Sequence, residues 1–116
     1  GPAEVAATLR GAPTGTTRLV LTHDPITARK LPAGEGLVCF SGHTHGGQIV
    51  LPFLGPLVTL SNLPKSIGGG GLHHYIVRNI YVSRGAGMER SHAPRIRFLC
   101  PPEIAILTVT SARREP

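Results

Sequence analysis

Carboxylates, aromatics and long apolar runs are all scarce in this chain of 116 residues. It has no Trp, two Tyr and three Phe, so any core rests on Val, Ile and Leu. The same shortage removes the stacked aromatic platform of a single-strand nucleic-acid module. Asp24 is the only aspartate, and Glu4, Glu35, Glu89, Glu103 and Glu115 are scattered. The residues alone therefore offer no carboxylate to bridge a pair of metal ions. No apolar run approaches the roughly 20 residues of a membrane-spanning helix, and no signal peptide is visible. Cys39 and Cys100 form neither a Cys-x-x-Cys pair nor a disulfide framework, and read as small buried apolar side chains. A Gly-x-Ser-x-Gly elbow, a phosphate-cradling P-loop and a Rossmann glycine fingerprint are also absent, which weakens serine-nucleophile, nucleotide-kinase and dehydrogenase readings.

What is abundant is Gly (15) and Pro (11), which implies many turns and short elements. The formal charge of +6 favours anionic partners, but the basic residues are dispersed, with only Arg95/Arg97 and Arg113/Arg114 close together. There is no strong nucleic-acid signal. The length suits one small domain or one half of a larger one. The chain opens on Gly1-Pro2 rather than on methionine, which leaves room for an upstream segment carrying a membrane anchor or export signal.

The pattern predicts a short helix over residues 4–10, closed by Gly11, and a buried strand over 18–22. Asp24 is placed to cap one or two helical turns over 26–31, stopped by Pro32, before a second buried strand over 37–40. Two apolar strands with a short helical connection suggest a βαβ-like unit. A short strand over 48–51, a loop-rich stretch over 53–71 and a flexible glycine run over 68–71 are expected next. Strands are then predicted over 72–78, 80–83, 96–99 and 104–110, the last with the clearest pattern, followed by a polar tail over 113–116.

The most specific motif is Ser41-Gly42-His43-Thr44-His45-Gly46-Gly47-Gln48. In extended backbone His43 and His45 would face one side, with the glycines permitting a loop folded around an ion. His23 follows the preceding strand, so three imidazoles gather near strand carboxyl ends, where α/β sheets place their ligands. Three protein ligands with an open position describe a catalytic metal site better than a closed structural one. His73 and His74 are adjacent and would face opposite ways in a strand, and His92 carries no argument.

Four blocks in order, Leu21-Thr22-His23-Asp24-Pro25, the Gly-His-Thr-His-Gly-Gly-Gln loop, Tyr81-Val82-Ser83-Arg84-Gly85 and Arg97-Phe98-Leu99-Cys100-Pro101-Pro102-Glu103-Ile104, resemble the C-terminal half of calcineurin-like metallophosphoesterases. The match is closest to a bacterial branch of small, often membrane-associated enzymes. The resemblance implies an α/β (α+β), β-rich fold, the C-terminal half of an αββα four-layer sandwich. It implies a dinuclear centre of two divalent ions of the Mn, Fe or Zn class, at which hydroxide attacks a phosphate ester in line. In that centre His23 and His43 would ligate one ion and His45 the other. Arg84 would either contact the substrate phosphate or make a plain structural ion pair.

The family's N-terminal Asp-x-His, Gly-Asp and Gly-Asn-His blocks are absent, and with them the bridging aspartate, the remaining ligands and the leaving-group histidine. Residues 1–116 are therefore expected to form a single partial metallophosphoesterase domain with no catalytic residue of its own. The partners implied are a phosphate-ester substrate and either the missing N-terminal half or a second copy. Membrane association would come only through a preceding segment. A competing reading is a non-catalytic metal-binding or interaction fragment from a truncated gene.

Overall fold

The computed structural model describes residues 2–13, 15–34, 36–88 and 94–110. The expected strand at 18–22 forms as β1 (Arg18–Thr22), and the second as β2 (Leu37–Ser41). They pair in parallel, Val20 opposite Cys39, and are joined by a 3₁₀ segment, Pro25–Lys30. Asp24 caps that segment as its residue type predicts, accepting the Ile26 N–H at 2.9 Å. The predicted βαβ-like unit is thus built with a tight 3₁₀ connection.

A helix α1 (Pro2–Leu9) precedes β1, two residues further upstream than the pattern suggested. After β2 come a two-residue ribbon, β3 (Val50–Leu51) with β4 (Gly55–Pro56), and a single helical turn, α2 (Lys65–Gly68). The hairpin of β5 (Gly71–Tyr75) and β6 (Arg78–Val82) completes one four-stranded mixed sheet of order β1-β2-β6-β5. The chain is a mixed α/β chain of the α+β kind.

One face of this sheet is sealed. Leu37 and Cys39 of β2 and Ile80 and Val82 of β6 pack with Ala28 of the 3₁₀ segment, with Leu31 just after it and with Leu63 and Ile67 around α2. Burial pushes the Cys39 thiol up to about 11, as an inert core cysteine requires. The opposite face carries Leu19, Leu21, Phe40, Leu72 and Tyr81, of which Leu21 is 83% exposed.

Three expectations need correction. Residues 104–110 form no strand, and 96–99 contribute only one bridge, Ile49 to Phe98, because strand sequence needs a neighbour to pair with. The glycine run, expected to be flexible, is close-packed at Gly68 and Gly70. A Cβ on Gly68 would lie 2.8 Å from the Thr59 side chain, and one on Gly70 2.7 Å from Arg84 Cγ. Among the described residues no helix is long and apolar enough to cross a membrane. Glu35, Glu89, His92 and the tail over 113–116 lie outside the described residues.

Candidate functional site

Because β1 and β2 run in parallel and in register, the loops leaving Thr22 and Ser41 emerge side by side. The Gly42 N–H donates to the His23 carbonyl at 3.3 Å and ties the loops together. Their imidazoles meet: the His23 and His43 ring centroids are 4.4 Å apart, tilted by 45°.

His45 is held differently. The extended geometry expected for 43–45 does not occur, because His43 (φ 68°) and His45 (φ 49°) are both left-handed around a right-handed Thr44. Thr44 is buried and its hydroxyl accepts the Gly46 N–H at 3.4 Å, which folds the chain into a 3₁₀ turn, His45–Gly47. The His45 ring lies beside Gly87, where a Cβ would come 3.7 Å from its Cε1. Among the described residues no group of three His, Cys, Asp or Glu side chains is placed to enclose one ion. Asp24, the one aspartate, is engaged as a cap and also accepts from the Ser61 hydroxyl at 3.3 Å. The donor set therefore offers two neighbouring imidazoles and does not close a metal site. At the root of the loop the Ser41 hydroxyl is buried with no hydrogen-bond partner among the described residues, an orphan of the kind that invites a ligand or water.

Arg84 follows β6, whose end lies beside that of β2 through the Ser83 N–H bond to the Ser41 carbonyl at 2.8 Å. Its guanidinium is committed to Glu103: Nε donates to the carboxylate at 2.9 Å, and Nη2 donates to the same oxygen. Tyr81 donates its hydroxyl to the other Glu103 oxygen at 2.7 Å. These bonds, from Tyr81 first and Arg84 second, hold the Glu103 carboxyl below the usual carboxylate range. The same bond to Glu103 raises the Tyr81 phenol and the Arg84 guanidinium. Arg84 thus makes the ion pair, and its stem packs against Gly46, where a Cβ would come within 2.7 Å.

The sequence assigns no role to Arg97 and reads Cys100 only as a small buried apolar side chain, although both lie in a block that carries the resemblance. The Arg97 guanidinium donates to the carbonyls of Arg84 at 2.7 Å, Gly85 at 3.0 Å and Cys100 at 3.2 Å. The buried Cys100 thiol in turn donates to the carbonyls of His45 at 3.5 Å and Gly46 at 3.6 Å. A Cβ on Gly46, itself left-handed at φ 63°, would lie 2.6 Å from that sulfur. The C-terminal block therefore props the back of the His-Thr-His turn. His73 and His74 are structural: the first bonds the Gly70 carbonyl at 2.9 Å and the second the Asn79 amide oxygen at 3.0 Å.

The chain is similar to several bacterial proteins. It is 40% identical over 93 residues to a metallophosphoesterase of Bacillus subtilis, covering 80% of this chain and 31% of the relative. It is 37% identical over 95 residues to a UDP-2,3-diacylglucosamine pyrophosphatase of Chlamydia muridarum, covering 77% of this chain and 28% of the relative. A phosphodiesterase of Escherichia coli is 31% identical over 90 residues, 78% of this chain and 31% of its own length. The chain thus spans about a third of the length of these curated relatives, 31% and 28% for the first two. No protein-family model matches the chain. No solved structure matches it either.

Proposed function

We propose, for a chain that belongs to the bacterial metallophosphoesterase family, that it supplies one part of a metal-dependent phosphoesterase centre. In this reading residues 1–116 are a single partial domain, the C-terminal portion of a calcineurin-like four-layer sandwich. The substrate class is a phosphate ester, and the cofactors are two divalent ions of the Mn, Fe or Zn class. Such ions, when bound, polarise phosphoryl oxygens and make water acidic enough to provide hydroxide near neutral pH.

The observation that carries the reading is the convergence of the His23 and His43 rings at 4.4 Å, at the carboxyl ends of adjacent parallel strands. Three non-glycine residues with positive φ within six positions, His43, His45 and Gln48, add to it, since backbone strain concentrates at functional sites. His23 and His43 would hold the first ion, and His45, on the turn propped by Cys100, would serve the second. Arg84 acts on substrate only if Glu103 releases it, so its first role is to fasten the C-terminal segment.

Titration with Co²⁺ tests the assignment through the ion's visible absorption. The wild-type chain should bind, and His43→Ala or His23→Ala should weaken binding at least about tenfold. Unchanged affinity in the double variant would remove the reading. The competing reading, a non-catalytic metal-binding fragment, is favoured by the lack of any three-donor group among the described residues. It is separated by turnover of a generic phosphodiester with Mn²⁺ once the rest of the domain is present.

A further inference from the structure

The β5–β6 hairpin turns at the end of the sheet remote from the imidazole pair. His23 and His43 follow the carboxyl ends of β1 and β2, whereas Ile76 and Val77 precede β6 at the amino end of the parallel strands. The strands are five residues long, which sets the two ends roughly 17 Å apart. Both loop residues are apolar and β-branched, 51% and 57% exposed, and both have positive φ. Asn-Gly relaxes a two-residue turn of this geometry, so the branched apolar tip is held against local preference. Strained residues cluster where their side chains serve a function.

The surroundings of the tip are cationic. Arg18 opens β1 and Arg78 opens β6 at this end. Arg78 donates Nε to the Leu31 carbonyl at 2.6 Å and Nη1 to the Ile76 carbonyl at 2.7 Å. The Gly34 N–H donates to the Val77 carbonyl at 3.3 Å. The end of the 3₁₀ segment is thereby clamped to the hairpin loop and carries the exposed Arg29 and Lys30 with it. Among the described residues none of these four cations pairs with a carboxylate. Asp24, after β1, and Glu103, bonded to Arg84 after β6, sit at the opposite end.

We propose that this end of the molecule, Ile76 and Val77 with Arg18, Arg29, Lys30 and Arg78, docks on the surface of an anionic lipid bilayer. A two-residue apolar tip suits shallow insertion at the headgroup–acyl boundary. The unpaired cations around it match the negative surface potential of anionic lipids. Nucleic acid would use the cations but leave Ile76 and Val77 without a role, since bases stack on aromatic side chains. The contact needs neither a spanning helix nor a preceding segment, unlike the membrane association expected from the resemblance, and it does not depend on a bound metal. It also fixes an orientation. With the hairpin on the bilayer, the His23–His43 pair faces the aqueous side roughly 17 Å further out, where a phosphate ester reaches it from solution.

Sedimentation of the full chain with vesicles tests the proposal. The chain should bind vesicles of phosphatidylglycerol mixed with phosphatidylcholine, less tightly as salt rises, and phosphatidylcholine alone far more weakly. The double variant Arg29→Gln/Lys30→Gln should bind at least about tenfold more weakly, at roughly fivefold per cation. Val77→Gly relaxes the turn and so keeps the fold, yet should weaken binding at least about fivefold. Leu21→Gln and Phe53→Gln, at exposed apolar positions on other elements, should leave affinity unchanged. Equal binding to neutral vesicles, full binding by the double variant, or loss of binding in Leu21→Gln or Phe53→Gln overturns the proposal. So does salt-sensitive binding to duplex DNA that Val77→Gly leaves intact, with no binding to either vesicle.

Discussion

The two faces of the four-stranded sheet are nearly equal in composition and opposite in fate. On β6, Ile80 and Val82 are completely buried, while Tyr81 between them looks onto open cavities. On β1, Val20 packs into the core cluster, while Leu19 and Leu21 on either side of it are exposed. Local sequence does not distinguish them, since both sets are apolar. The difference lies in what returns to cover them. The chain brings a 3₁₀ segment and α2 back over one face, and only one unpaired segment over the other. A sheet apolar on both faces needs cover on both, and among the described residues only one face has it.

The strongest way to break this comparison is to truncate one residue on each face. Ile80→Ala removes three methyl-sized groups from a site with no exposure and should cost about 2–5 kcal/mol. Leu21→Ala in the isolated chain should cost less than about 0.5 kcal/mol, because Leu21 is already in solvent. Urea unfolding of both variants measures the pair. Equal losses would mean that the second face is closed in solution by self-association, and a concentration-dependent midpoint would identify that case.

The same contrast explains what could be read from the sequence. β1, β2, the Asp24 cap and the opposite placement of His73 and His74 follow from local rules of period, capping and alternation. The strand expected over 104–110 obeys those rules too, but pairing is a non-local property, and no partner lies among the described residues. The extended backbone expected for His43 and His45 does not form, because its left-handed turns are enforced from a distance. Thr44 is buried and Cys100 bonds the His45 and Gly46 carbonyls from 54 or more positions away. Glycines 68–71 read as a flexible run for the same reason, since only the fold brings Thr59 against Gly68 and Arg84 against Gly70. The imidazole pair was legible as residue types and order. Its completion was not, and the described residues leave it a pair.

A smaller effect sharpens the boundary between the faces at the point where the covering segment is fastened. The folded Glu103 carboxyl titrates below its ordinary range, about 4.3, because Tyr81 and Arg84 stabilise its charged form. The fastening is therefore fully present above that ordinary value and is lost as pH falls through the lowered folded one. Its worth is about 1 kcal/mol at most, since Arg84 and Glu103 are 35% and 21% exposed and solvent screens them. Acidification from pH 7 to pH 3 should lower the backbone NMR order parameters over 105–110 before the sealed-face amides of Cys39 and Ile80 lose protection relative to their intrinsic exchange rates. In Glu103→Gln the 105–110 order parameters should be low at every pH. Simultaneous loss of both regions would show that the segment is not independently fastened.

The smallest effect concerns the β5–β6 hairpin, which feeds side chains to both faces. Its two-residue loop, Ile76-Val77, has positive φ at both positions, 46° and 54°. Two-residue hairpin loops favour such angles, but β-branched side chains resist them, and Asn-Gly is the pair that suits the geometry. Val77→Gly relieves the strain and loses little packing, because Val77 is 57% exposed. Glycine's extra freedom in the unfolded chain offsets part of the gain, leaving a net stabilisation of about 0.5 kcal/mol. The gain should be the same in wild type and in the Leu21→Ala background, since an uncovered face cannot transmit a change in the hairpin. An unequal gain, read from the two urea midpoints, would mean that the open face is packed against something that the hairpin also supports.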